Sequence, residues 1–93
     1  MTERYYWSQC VKDETMAESI AAAAARRPSA GPVVHYNGAF HSEFGLGTAE
    51  RTRRRLPGKR VVVLSILPVE NLDTLNPSGE DLQRADYLVY TVK

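Results

Sequence analysis

Residues 61–67 read VVVLSIL, β-branched and apolar almost throughout, and the span Arg60–Leu67 is the clearest strand in the chain. A shorter run of the same kind, Pro32–Tyr36 (PVVHY), precedes it, nearly continuous in apolar character as in strands covered on both faces. Residues 48–56 lie between the two and read as a helix, stopped by Leu56-Pro57-Gly58. Thr48 is its N-cap candidate, a weak one, since Arg51 stands where a capping box wants an acid. Strand, helix and strand with about twenty residues between them predict a right-handed crossover and so a parallel strand pair. Upstream, residues 3–27 predict a long helix, rich in alanine from Ala21 to Ala25. Its stripe steps through Tyr6, Cys10, Asp13, Ala17, Ile20 and Ala24, broadened by Trp7, Val11 and Met16. Downstream, Asp81–Ala85 predicts a helical turn, and DYLVYTV at 86–92 predicts a third strand.

The expected fold class is therefore α/β, a three-stranded, mainly parallel sheet with two main helices. Such a sheet is thin, with two open edges and partly uncovered faces. The expectation is of an incomplete larger α/β domain, one that self-associates as a homodimer or higher, or that lacks an N-terminal half.

The chain has 93 residues, enough for a single module. A net charge of +1 gives no global pull toward nucleic acid or an anionic membrane. Four arginines fall in residues 51–55, but they surround the helix, and no aromatic residues interleave with them for base stacking. Cys10 is the single cysteine, so no intrachain disulfide forms, and a free buried thiol is expected. The opening MTERYYWSQC lacks the apolar core of a signal peptide, and no run approaches the roughly 20 apolar residues of a membrane span.

Chemistry concentrates in one corner, GAFHSEFGLG at residues 38–47, just past the first expected strand. Ligands of open parallel sheets sit at that edge. Gly38 is expected to let backbone approach a ligand. His41 and Glu43 offer an imidazole and a carboxylate, and both suit a metal ion. His35 reads as a structural histidine pointing elsewhere. Gly45-Leu46-Gly47 lacks the third glycine of a dinucleotide fingerprint, Glu50 standing in its place, and reads as a turn into the helix. Phe40 and Phe44 flank His41 in a loop, where large apolar side chains call for a flat apolar ligand such as a porphyrin, or for another chain.

Two segments together resemble a known family. QCVKDETMAESIA, residues 9–21, is similar to the Q-x-x-x-D-x-x-MA helix of the ChaN-like, haem-binding, iron-regulated lipoproteins. GAFHSEFGLG is similar to that family's G-x-x-H-x-x-x-G segment, and G-x-x-H recurs across the wider Tiki/TraB/erythromycin-esterase superfamily. The resemblance spans residues 5–67 and touches Gln9, Asp13, Met16, Ala17, Gly38, His41 and Gly47. It covers only the C-terminal portion of the family domain, whose opening strand and Gly-Glu-x-His motif match nothing here.

The resemblance implies that Asp13 and His41 meet at the sheet's carboxyl edge, that haem is the ligand, and that the parent protein is exported and membrane-anchored. The leading expectation is a haem- or iron-binding module without enzymatic activity. His41, Tyr36, Phe40 and Phe44 would line the haem, with Tyr36 or Tyr6 as the phenolate candidate. Asp13 and Glu43 would hold the imidazole in place. In a rival expectation His41, Asp13 and Glu43 hold a divalent metal ion of a hydrolase that is inactive as this chain alone. A third has the chain as a structural fragment that docks on another half.

Overall fold

The computed structural model of the protein describes residues 2–26 and 31–93. Helix α1 spans Glu3–Arg26, α2 Gly47–Arg55, strand β1 Leu64–Val69, the short helix α3 Gly79–Arg84, and strand β2 Tyr87–Val92. Two 3-10 turns, Ala39–His41 and Glu43–Gly45, lead into α2. The last residue of the helix expected over 3–27 lies outside the described residues.

Among the described residues the sheet has two strands, not three. The parallel pair is β1 with β2, in the register Leu64↔Tyr87 through Val69↔Val92, joined through α3. The expected first strand at 32–36 has no regular secondary structure and belongs to no ladder. A hollow of about 750 Å³ separates it from residues 60–66, its walls formed by Val33, Val34, Val61, Val62, Leu64 and Ile66 among others. Without a ladder across that gap, the crossover through α2 ends in no strand pairing.

The second expected strand starts later than its sequence pattern suggests, and polar side chains explain why. The Arg53 guanidinium donates to the Val61 carbonyl at 3.2 Å, and the Asp86 carboxylate accepts from Val63 N–H at 2.8 Å. The Val63 carbonyl takes the amides of both Asp86 and Tyr87. Val61–Val63 thus form the mouth of the sheet, and regular pairing begins at Leu64.

α1 packs on α2 through small and polar residues. Gln9, Asp13 and Ala17, spaced four apart on one face of α1, are buried. They meet Thr48, Ala49 and Thr52, the buried face of α2. This differs from the apolar stripe expected on α1, since Tyr6, Trp7 and Val11 are exposed. Facing and length together are the reason, since Val11 stands two residues from both Gln9 and Asp13 and so on the side away from α2. A nine-residue helix is about 13 Å long and covers only the middle of a 24-residue helix of about 36 Å. The buried apolar residues are Ala17, Ala49 and Val63, a very small core for the described residues.

α3 is held to its neighbours by ions. Ser78 caps it, its hydroxyl accepting from Asp81 N–H. Arg84 binds Asp81 and Glu43, each at 2.8 Å, and the Tyr90 hydroxyl donates to Asp81. The Arg84 hydrogen bond holds the Asp81 carboxyl below its usual range, while partial burial, then the bond to Asp81, pushes the Tyr90 phenol up. The lowered Asp81 pKa stabilises the corner above the ordinary carboxylate range, and that contribution is lost as pH falls through the lowered value. The raised Tyr90 pKa acts in the opposite sense, its contribution present below the ordinary phenol range and lost as pH rises through the raised value. Protection of the Arg84 amide, relative to its intrinsic exchange rate at each pH, should therefore fall at both extremes, as pH drops below the ordinary carboxylate range and as it rises above the ordinary phenol range. In Asp81→Asn the acid arm should flatten.

Candidate functional site

Asp13 sits on the buried face of α1, and the turn Ala39–His41 brings an imidazole over it. His41 Nδ1 lies 2.7 Å from Asp13 Oδ1. The Thr48 hydroxyl, 2% exposed, donates to the same oxygen at 3.0 Å. Arg51 places a guanidinium nitrogen 3.9 Å from Asp13 Oδ2 and donates to the Gly47 carbonyl at 3.2 Å. Thr48 and Arg51 stand on the first two turns of α2, so one helix end supplies both a hydroxyl and a cation to the carboxylate.

This geometry determines which imidazole nitrogen is engaged. An ionised carboxylate only accepts hydrogen bonds, so Nδ1 carries the proton. Nε2 is then the nitrogen whose lone pair is available in the neutral ring. The His41 side chain keeps 19% of its surface exposed, so the ring is reachable from solvent, while Asp13 beneath it is closed off. The Phe40 ring stands edge-on to the imidazole, centroids 5.4 Å apart, and is itself exposed.

Gly47 makes the approach of α1, α2 and the turn possible. Its φ is +57°, and a Cβ there would lie 2.5 Å from the His41 carbonyl oxygen and 3.2 Å from Asp13 Oδ2. Gly38, expected to be the close-approach glycine, has ordinary extended backbone and open space around it. The demand for a missing side chain thus falls nine residues later in the same segment.

Other expected site residues are placed apart from the pair. Glu43 turns to Arg84 on α3 at 2.8 Å, redirected through Phe44, which has a φ of +62° and stacks under the same guanidinium at 5.5 Å. Tyr36 and His35 line the hollow, and His41, Phe40 and Phe44 are not on its walls. A hydrogen-bonding contact with Cys10 pushes the Tyr6 phenol above its usual value, which disfavours a phenolate there. Among the described residues no group of three histidine, cysteine or acidic side chains is placed to hold a metal ion. None of the described helices is long and apolar enough to cross a membrane.

Thr48 and Arg51 are the site residues that the sequence did not reveal. Thr48 was expected to cap α2, yet the residue before that helix is Leu46 and no side chain caps it. The available signal was the pair Thr48 and Thr52, polar residues one turn apart on the face α2 turns to α1. Thr52 spends its hydroxyl on the Thr48 carbonyl at 2.7 Å, whereas Thr48 spends its own on Asp13. Thr48→Val should lower stability by about 1–2 kcal/mol, read by chemical denaturation, because the carboxylate loses a buried donor. Thr48→Ser should recover most of that loss.

Neither the curated proteins nor the solved structures contain a match to the chain. Residues 1–52, which carry α1, the His41 turn and most of α2, match the family described as haem-binding uptake, Tiki superfamily, ChaN. That span covers more than half of the 93 residues and holds Asp13, His41, Gly47, Thr48 and Arg51 together. The chain belongs to the ChaN family of haem-binding uptake proteins.

Proposed function

We propose that the protein binds haem through His41, with the imidazole presented by Asp13 and Thr48. The 2.7 Å contact of Nδ1 with the buried carboxylate carries this reading, because it orients the ring and leaves Nε2 to a ligand. Ferric haem iron accepts a neutral imidazole as an axial ligand. Phe40 and Phe44, exposed on either side of His41 in the chain, offer apolar surface for the edge of a porphyrin. Fit is favoured by the donor set, one oriented imidazole beside exposed aromatic rings.

A divalent ion held by His41, Asp13 and Glu43 is the weaker alternative. Arg84 occupies the Glu43 carboxylate, and Thr48 with His41 occupies Asp13 Oδ1. A role in haem uptake also favours an exported protein, which cell fractionation of the full-length gene product would test.

Hemin added to the purified protein should produce a shifted Soret band that saturates. Asp13→Asn should weaken binding on the order of 10-fold, since the imidazole loses its orienting anion. An unchanged Soret band on mixing would remove the proposal.

A further inference from the structure

The described elements pack mainly as two groups, α1 with α2 and the His41 turn, and β1 with β2 and α3. Arg84, the last residue of α3, joins them. It donates to the Glu43 carboxylate at 2.8 Å and stands over the Phe44 ring at 5.5 Å. The Arg84 and Glu43 side chains keep only 22% and 24% of their surface exposed, so this pair is shielded from much of the water that weakens surface ion pairs. Arg53 is another link, but it is 41% exposed and its bonds to the Gly45 and Val61 carbonyls are longer, at 3.3 and 3.2 Å.

The residue beside that ion pair is strained. Phe44 has a φ of +62°, a left-handed conformation that bulky side chains avoid. Gly45 and Gly47 adopt it too, at +70° and +57°, so the path from His41 into α2 takes three left-handed residues, and Phe44 alone among them carries a side chain. Such strain persists where the surroundings over-determine it. Arg84 supplies that constraint, holding Glu43 by charge and Phe44 by its ring. We propose that Arg84 is a positioning residue for His41, clamping Glu43 and Phe44 so that the turn keeps the imidazole on Asp13. Without the guanidinium, Phe44 relaxes to negative φ and the chain is redirected three residues after the ring. The lever is short, because Glu43 follows His41 by two residues and the His41 carbonyl lies close against Gly47. The order of the sheet group, through α3, thereby sets how firmly the imidazole is presented. The inference deepens the haem reading and rests on it for affinity alone, since the position of the ring is defined without ligand.

Hemin titrations should show affinity about 3- to 10-fold weaker in both Arg84→Gln and Glu43→Gln. The double variant should be no weaker than Arg84→Gln alone, because the two substitutions cut one link. In the ligand-free variants, nitrogen-15 spectra of the His41 ring should lose the preference for a proton on Nδ1, which an ion pair that merely stabilises the fold would not move while the protein stays folded. Glu43→Gln leaves the bond between Arg84 and Asp81 in place, so it answers the question should Arg84→Gln fail to fold. Lys93→Gln, which removes an exposed ion pair with Glu70, should change neither readout. A missing Soret shift in the unmodified protein would remove haem as the ligand and leave the ring spectra to decide on the clamp. Unaltered ring spectra in folded Glu43→Gln would overturn the inference, as would affinity losses that add in the double variant.

Discussion

His41→Ala should abolish the saturable Soret shift that hemin gives with the unmodified protein, weakening binding on the order of 100-fold or more. The effect is large because the ring is the axial donor and nothing beside it replaces it. The nearest carboxylate is committed to Thr48, and Glu43 is committed to Arg84. Stability should fall far less than affinity. The ring is partly exposed, and its removal leaves Asp13 with the Thr48 hydroxyl and the nearby Arg51 charge. That split between a lost ligand and a retained fold separates a binding histidine from one that merely closes the corner. Equal loss of both in a denaturation series and a hemin titration would assign His41 to the fold alone.

Gly47→Ala should be the most damaging single-atom change in the chain. Two penalties combine there. An L-residue at a φ of +57° is strained by about 1–2 kcal/mol, and the new Cβ would press on the His41 carbonyl at 2.5 Å. The His41 backbone on one side and the hydrogen-bonded Asp13 carboxylate on the other prevent easy relief, so overpacking adds about 1–3 kcal/mol. A total near 3 kcal/mol is a large share of the stability of so small a chain. Gly58→Ala is the internal control. Gly58 also has positive φ, +84°, but a Cβ there meets nothing within 4 Å, so only the conformational strain applies. Denaturation midpoints of the two variants should differ clearly, and hemin affinity should fall in Gly47→Ala alone. Equal midpoints would show that the turn does not press on α1 and α2.

The contrast between these glycines also shows what could be read from sequence. Gly47 read as part of the turn into α2 and Gly38 as the glycine of close approach, and nothing local showed that the close approach falls at Gly47 instead. The distinction is tertiary, because it depends on Asp13 arriving from a helix some thirty residues upstream. The helices themselves were legible. The alanine-rich run of α1 and the Leu56-Pro57-Gly58 stop of α2 act locally, and their observed bounds lie within a residue of the expected ones wherever the chain is described. β2 was equally plain, since its alternation is set by its own residues.

The expected sheet was not, because strand character and strand pairing are different properties. Val33 and Val34 have the right side chains for a strand, yet pairing needs a neighbour, and the hollow takes its place. Glu43 illustrates the same limit at the site. Its position two residues from His41 suggested a shared ligand, but the turn at Phe44 aims it at Arg84, 41 residues away in sequence. The Asp13–His41 meeting was accessible only through resemblance to the family, since no local spacing links residues 28 apart.

Nitrogen-15 spectroscopy of the His41 ring in the ligand-free protein tests the central claim most directly. An imidazole anchored on Asp13 should carry its neutral-form proton on Nδ1, with an unprotonated Nε2, and Asp13→Asn should disturb that preference. A ring protonated on Nε2, or one averaging freely between both forms, would mean that the carboxylate does not present the imidazole to any ligand.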